Sequence, residues 1–272
     1  MLSVLLTNDD GIEAEGLRAL RAALTDLPEV RLVVIAPDGN RSAMARSITT
    51  RRPLWVEEVS FPDGTVGYAT DGTPVDCVRL ASLGLVEGFS PQLVVSGVNH
   101  GANLGDDITY SGTVAAALEG LVLGLPAIAV SQQPQTGNLD YRGGGFDFSF
   151  AVRFVANLVR RLEEIPLPDR TLLNVNVPAG RPRGVAVTRL GKRIYRDELR
   201  LEREEKGPPP RRRYWVYGQD PGYKEEEGTD LAAVAAGLIA VTPLHFDLTH
   251  TAGVEALRRF DLEGLLAETV GR

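Results

Sequence analysis

Two periods of apolar residues alternate along the first two thirds of the chain. Near-continuous apolar runs occur at "SVLLT" (3–7), "VRLVVIAP" (30–37), "PQLVVSG" (91–97), "PAIAVS" (126–131) and "TLLNVNVP" (171–178). Runs of this length, apolar on both sides, suit strands buried on two faces. Between them the spacing changes. Leu17, Leu20, Leu24 and Leu27 recur at helical intervals, and "GTPVDCVRLASLGL", "SGTVAAALEGLVLG" and "FAVRFVANLVRRLEEI" read as further helices. Thr73 followed by Pro74 predicts an N-cap with proline at the first helical position. "LWVEEV" and "TVGYAT" flank Pro62-Asp63-Gly64, a hairpin signal.

Strands alternating with helices predict an α/β fold, a doubly wound, mostly parallel sheet covered on both faces. Residues 1–190 are expected to form this core. Residues 191–228 break the pattern, being charged, proline-rich and poor in core positions. "YWVYG" within them is an aromatic, strand-like patch without an evident core. Tyr195, Tyr214, Trp215 and Tyr217 thus predict a projecting arm that meets a partner rather than a solvated loop. Residues 229–272 read as one more strand, "LIAVTPLHFDLT", and one closing helix, "GVEALRRFDLEGLLAET".

Composition narrows the functions. The 272 residues are 43% apolar, enough for a sizeable core, and carry a net charge of −7. Bulk nucleic acid is excluded as a partner, since that binding needs clustered Lys and Arg. The single cysteine, Cys77, forms no intrachain disulfide and reads as a small buried hydrophobe. The first apolar run is too short for a signal peptide, and no stretch approaches the roughly 18 apolar residues of a membrane span. A cytoplasmic protein with no membrane partner is expected.

In an open parallel sheet, ligands bind beyond the carboxyl ends of the strands. The first strand is followed by Thr7-Asn8-Asp9-Asp10-Gly11, the second by Pro37-Asp38-Gly39-Asn40-Arg41-Ser42, the third by Ser96-Gly97-Val98-Asn99-His100-Gly101-Ala102-Asn103. Adjacent carboxylates repel unless a cation lies between them. Asp9 and Asp10, with Ser42 and Asn99 on neighbouring strand ends, offer hard oxygen donors suited to Mg²⁺ or Mn²⁺ rather than zinc. The plainer reading of Asp9-Asp10 is a helix cap and dipole partner, a role that one aspartate satisfies. Ser111-Gly112-Thr113 opens a predicted helix and is a ready anion site, or an ordinary cap. Asp106-Asp107 is a second acidic pair, read as organising its loop in preference to holding water near a metal. Walker, dinucleotide and nucleophile-elbow motifs are absent. His100, His245 and His250 lack metal-ligand spacing, although His100 follows Asn99.

The segments "LLTNDDGIEAEGL", "APDGNRSAMARSIT", "GTPVDCV", "VVSGVNHGANLGDDITYSGTVAAALEG" and "VTPLHFDLT" together resemble the stationary-phase survival protein SurE family, metal-dependent phosphatases of nucleoside monophosphates. The resemblance covers nearly the whole chain. It implies a Rossmann-like core with one divalent metal per subunit on Asp9, Asp10, Ser42 and Asn99. Asn40, Asn99, Asn103 and Ser111-Gly112-Thr113 would line the phosphate pocket. Swapped C-terminal segments and an extended hairpin would build a homodimer or homotetramer. One departure is Ala43, where the family usually has glycine.

The reaction expected is hydrolysis of a 5′-nucleotide, with 3′-nucleotides and short polyphosphate as further substrates. Asp9 and Asp10 are the candidate catalytic residues, holding the metal and orienting or deprotonating a water. Two rivals stand beside this reading. One makes an aspartate a nucleophile that forms an aspartyl phosphate. The other makes the protein a nucleotide sensor that binds without turnover.

Overall fold

Each of the five apolar runs becomes a strand of one sheet. The computed structural model describes residues 1–137, 145–195, 198–216 and 222–271. In chain order, β1 (Leu2–Thr7) leads through α1 (Glu15–Thr25) to β2 (Val30–Pro37). The hairpin of β3 (Val56–Ser60) and β4 (Val66–Thr70) follows, then α2 (Pro74–Ser82), β5 (Leu93–His100), a 3-10 turn (Gly105–Thr109) and α3 (Gly112–Val122). Next come β6 (Ala127–Gln132), α4 (Ser149–Arg160), β7 (Leu172–Val177) and β8 (Gly184–Val187). The remaining elements are β9 (Arg193–Ile194), β10 (Arg200–Glu205), β11 (Arg211–Trp215), β12 (Gly222–Tyr223), α5 (Asp230–Ala235), β13 (Leu238–Leu244), α6 (Thr251–Leu257) and α7 (Leu262–Thr269).

The main sheet has the order β3-β4-β2-β1-β5-β6-β7-β13-β8. From β4 to β7 all neighbours are parallel. Strand period two explains the double burial. Val4 and Leu6 face a core with Leu17, Leu20 and Leu24 of α1 and Val155 and Val159 of α4. Leu5 faces the opposite core, with Cys77 and Val78 of α2 and Val114 and Ala117 of α3. Cys77 is fully buried, as expected of a small hydrophobe. The chain winds outward from β1 through β2 to β4, then returns to β5 on the other side of β1. The winding reverses between β1 and β5, the place where open parallel sheets take their ligands.

Several expectations need correction. The third apolar run extends to His100, so residues 96–100 end β5 rather than start a loop. The pairing of β5 with β6 shifts register between Ser96 and Asn99. Gly97 lies within that shift at φ +136°, and a Cβ there would sit 2.3 Å from the Val130 carbonyl oxygen. The strand expected after residue 229 is β13, which lies inside the main sheet between β7 and β8. The single closing helix is two, because Asp261 caps α7 by accepting from the Gly264 N–H at 2.8 Å. The arm is a long hairpin of two successive ladders, β9 with β12 and β10 with β11. Tyr195, Tyr214 and Trp215 are exposed there, and Tyr217 lies outside the described residues. No helix among the described residues is long and apolar enough to cross a membrane.

Candidate active site

The turn after β1 is shaped by Asn8. Its side chain accepts the Gly11 N–H at 3.2 Å and donates to the Gly11 carbonyl at 2.9 Å. Gly11 has φ +107°, and a Cβ there would lie 3.0 Å from Gly39, so this turn and the one after β2 touch through glycine. The Arg41 N–H donates to the Asp9 carbonyl at 2.6 Å and joins the two loops. Asp9 and Asp10 emerge from this junction.

Both oxygens of Asp10 are held. The His100 N–H donates to one at 3.0 Å and the Asn40 amide to the other at 3.3 Å. Asn40 also accepts the Ser42 N–H at 2.9 Å, a local turn that shapes the second loop. Ser42 is exposed and is joined to Asp10 through Asn40 rather than directly. Asn99 donates to the Gly101 carbonyl at 2.8 Å, leaving its amide oxygen as the donor atom for a ligand. Hydrogen bonds thus join Asp10, Asn40 and Ser42 across the ends of β1 and β2, and the His100 N–H, one residue beyond Asn99 at the end of β5, joins them at Asp10.

Asp9 is buried, at 3% exposure, and stands against the start of α3. Thr113 donates its hydroxyl to Asp9 Oδ1. A Cβ on Gly112 would fall 2.8 Å from Asp9 Oδ2, so only glycine admits the carboxylate there. Burial, and next the charge of Asp10, push the Asp9 carboxyl up from 3.8 to about 6. Ser111 caps α3 by accepting the Val114 N–H at 3.1 Å. The N–H groups of Gly112 and Thr113, in the first helical turn, have no intrahelical acceptor.

Two expected phosphate ligands are placed differently. The Thr113 hydroxyl is fully buried and committed to Asp9, so it does not stand open to a phosphate. Asn103 is anchored inward: its N–H donates to Asn176 Oδ1 at 2.8 Å, its amide to Ser131 Oγ at 2.8 Å, and its carbonyl accepts from Asn174 and Asn176. The two β7 asparagines were visible in "NVNV" as polar residues at period two on one face, a signal of buried polar work. Asp106 and Asp107 organise their loop, contacting Arg193 and Tyr195 of the arm. The His100 ring accepts the Gly16 N–H at 3.2 Å and stacks on Phe146 and Phe148. It therefore braces the site from behind.

A family model described as Survival protein SurE matches residues 4–197. A 5′-nucleotidase SurE of Rubrobacter xylanophilus is 51% identical, over 97% of this chain and 99% of its own. One from Chloroflexus aggregans is 47% identical, over 96% and 99%. The crystal structure of the SurE protein from Aquifex aeolicus superposes with a TM-score of 0.74 at 38% identity, covering 94% of this chain and 99% of that one.

Proposed function

The chain belongs to the survival protein SurE family, and we propose that it is a 5′-nucleotidase, releasing phosphate from nucleoside monophosphates. The relatives carry that name over nearly their full length. One observation carries the reading: the acidic pair at the end of β1 is hydrogen-bonded to the start of α3. A cation site and an anion site thereby adjoin, which is what a phosphomonoester with its metal requires.

The residues fit a divalent metal. Asp9 is buried beside a second carboxylate, and the cradle at Gly112 keeps side-chain bulk away from it. No group of three or more His, Cys, Asp or Glu gathers as a metal site among the described residues. Further donors at Asp9 and Asp10 are then neutral oxygens, Ser42 and Asn99, and water. That all-oxygen set suits Mg²⁺ or Mn²⁺, one per subunit. When bound, the ion supplies Lewis-acid polarisation of the phosphoryl group and acidifies a water.

The chain's own groups do the rest. Asp10, its orientation fixed by His100 and Asn40, is the carboxylate placed to orient a water. The Gly112 and Thr113 N–H groups neutralise charge on the phosphoryl oxygens. Ser111 caps the same turn, and Asn40 is held at Asp10. Burial and the Thr113 hydrogen bond argue against Asp9 as a nucleophile. 3′-Nucleotides and short polyphosphate stay within the proposed substrate range. The proposal keeps a cytoplasmic location and a homodimer or homotetramer built through the arm and the helices after β13.

The test is a phosphate-release screen of mononucleotides with Mg²⁺, Mn²⁺ and Ca²⁺. Many turnovers per protein are expected. Tight nucleotide binding without phosphate release would instead identify a sensor.

A further inference from the structure

The phosphate-binding turn is not anchored to the core alone. The 3-10 turn Gly105–Thr109 runs directly into Ser111, the cap of α3. The Tyr110 N–H donates to the Asp107 carbonyl at 3.0 Å and the Ser111 N–H to the Ile108 carbonyl at 3.3 Å. The Tyr110 carbonyl accepts the Ala45 N–H at 3.1 Å, so the same turn also supports the loop that carries Ser42.

The base of the arm grips this turn from outside. Asp107 is ion-paired with Arg193, whose side chain is only 2% exposed, and accepts the Tyr195 hydroxyl at 2.7 Å. Asp106 accepts the Arg193 N–H at 3.1 Å. A second staple lies beside it: Asp230 accepts the N–H groups of Gly105 and Gly191, each at 2.8 Å. The backbones meet here too, since a Cβ on Gly105 would fall 2.8 Å from the Gly191 carbonyl oxygen. An outer loop needs no buried guanidinium to stay folded. A buried ion pair is costly to break from one side, which suits it to holding one arrangement.

We propose that the arm base is a positioning element for the phosphate-binding turn, with Asp107 as its latch. The inference rests on the reading that Ser111-Gly112-Thr113 receives the phosphate. It adds that the arm sets how well those N–H groups are aimed. Arg193 and Tyr195 touch no substrate. They act through Asp107, which in turn holds the backbone leading to Ser111. Whatever displaces the arm would be felt more at the phosphate than at the metal, because Asp10 is held by His100 and Asn40, and Asp9 meets α3 through the Thr113 side chain rather than through the latch.

The experiment uses the full chain, with three readouts: KM for the preferred nucleotide, the inhibition constant of inorganic phosphate, and Mn²⁺ affinity by calorimetry. Asp107→Asn keeps the shape and removes the charge. It is expected to raise KM and the phosphate inhibition constant together by roughly 10-fold, the scale of one charge-assisted hydrogen bond. Mn²⁺ affinity should stay within about 2-fold, well below that scale. Tyr195→Phe, a milder change, should raise both constants about 3-fold, and it decides the matter if Asp107→Asn fails to fold. A folded variant with unaltered constants overturns the latch. So does a loss of Mn²⁺ affinity in parallel, which would mean general loosening. A wild-type protein that releases no phosphate from any nucleotide defeats the functional reading itself, a result distinct from either.

Discussion

Thr113 donates its hydroxyl to Asp9, tying the first turn of α3 to the acidic end of β1. The bond favours the ionised carboxylate against the burial that opposes it. Thr113→Ala should therefore weaken divalent-metal binding by roughly 10-fold or more, the scale of a hydrogen bond to a charged group. Calorimetry with Mn²⁺ measures it. A raised KM with unchanged metal affinity would return the hydroxyl to the phosphate pocket, where sequence alone had put it.

Asp9 also sets a pH dependence. Its carboxyl titrates near 6 in the folded chain against 3.8 for an ordinary aspartate. Between those values the folded state binds more protons than the unfolded one, so stability falls as pH rises. Below about pH 4 the contribution is intact; above about 6 roughly 3 kcal/mol has been lost. The metal-free protein should melt lower at pH 7 than at pH 5 on this account, and divalent metal should restore most of the difference. Asp9→Asn without metal should flatten the profile and raise Tm at pH 7. If that variant melts lower than the wild type there, the carboxylate is not under the repulsion inferred.

Asp10 answers a different question. Both of its oxygens accept hydrogen bonds, from His100 and Asn40. An amide at this position can accept only one of them and carries no charge. Asp10→Asn should lower kcat/KM by about 10²-fold or more, the cost of losing a preorganised electrostatic group. Chelation should abolish wild-type turnover and Mg²⁺ or Mn²⁺ should restore it. Full turnover in chelator ends the metal assignment.

The core strands and the acidic pair were legible because burial on both faces writes a continuous apolar run, and because Asp-Asp has few reasons to exist. Polar partners at long sequence distance were not. Nothing in the order of residues says that Thr113 meets Asp9, or that Asn103 is held from β7 by Asn174 and Asn176. The end of β5 was misplaced because Gly97 and Asn99 read as a loop, whereas the strand continues through a register shift. Nor does the order of residues say that β13 fills the gap between β7 and β8.

The loop carrying Ser42 holds an avoidable conformation. Ala43 has φ +58°, the left-handed region that disfavours a Cβ. Ala43→Gly should stabilise the protein by about 1 kcal/mol, the relief exceeding the added freedom of the unfolded chain. Tm should rise by roughly 2 °C for a chain of this size. An unchanged or lower Tm would show that the loop relaxes around alanine at no cost.

Many of the exposed apolar residues gather in two places. Along the hairpin they are Leu201, Tyr214 and Trp215; beyond β13 they are Leu248, Leu257, Phe260, Leu262, Leu265 and Leu266. Helices α6 and α7 have no buried residue at all. A helix with an unburied apolar side is poorly stable by itself, since helical stability in proteins comes mostly from packing. These segments are therefore expected to be covered by another copy of the chain, which would shield both patches at once. Replacing residues 200–215 with a short Gly-Ser turn leaves the latch residues Arg193 and Tyr195 in place. It should lower the assembly state without loss of Mn²⁺ binding. Removing residues 251–272 should do the same, leaving a soluble core only if the main sheet is self-sufficient, as its in-chain β13 suggests. Sedimentation at micromolar concentration reads both variants. If neither changes the assembly, subunits meet through a face of the core, and the hairpin and terminal helices are solvated.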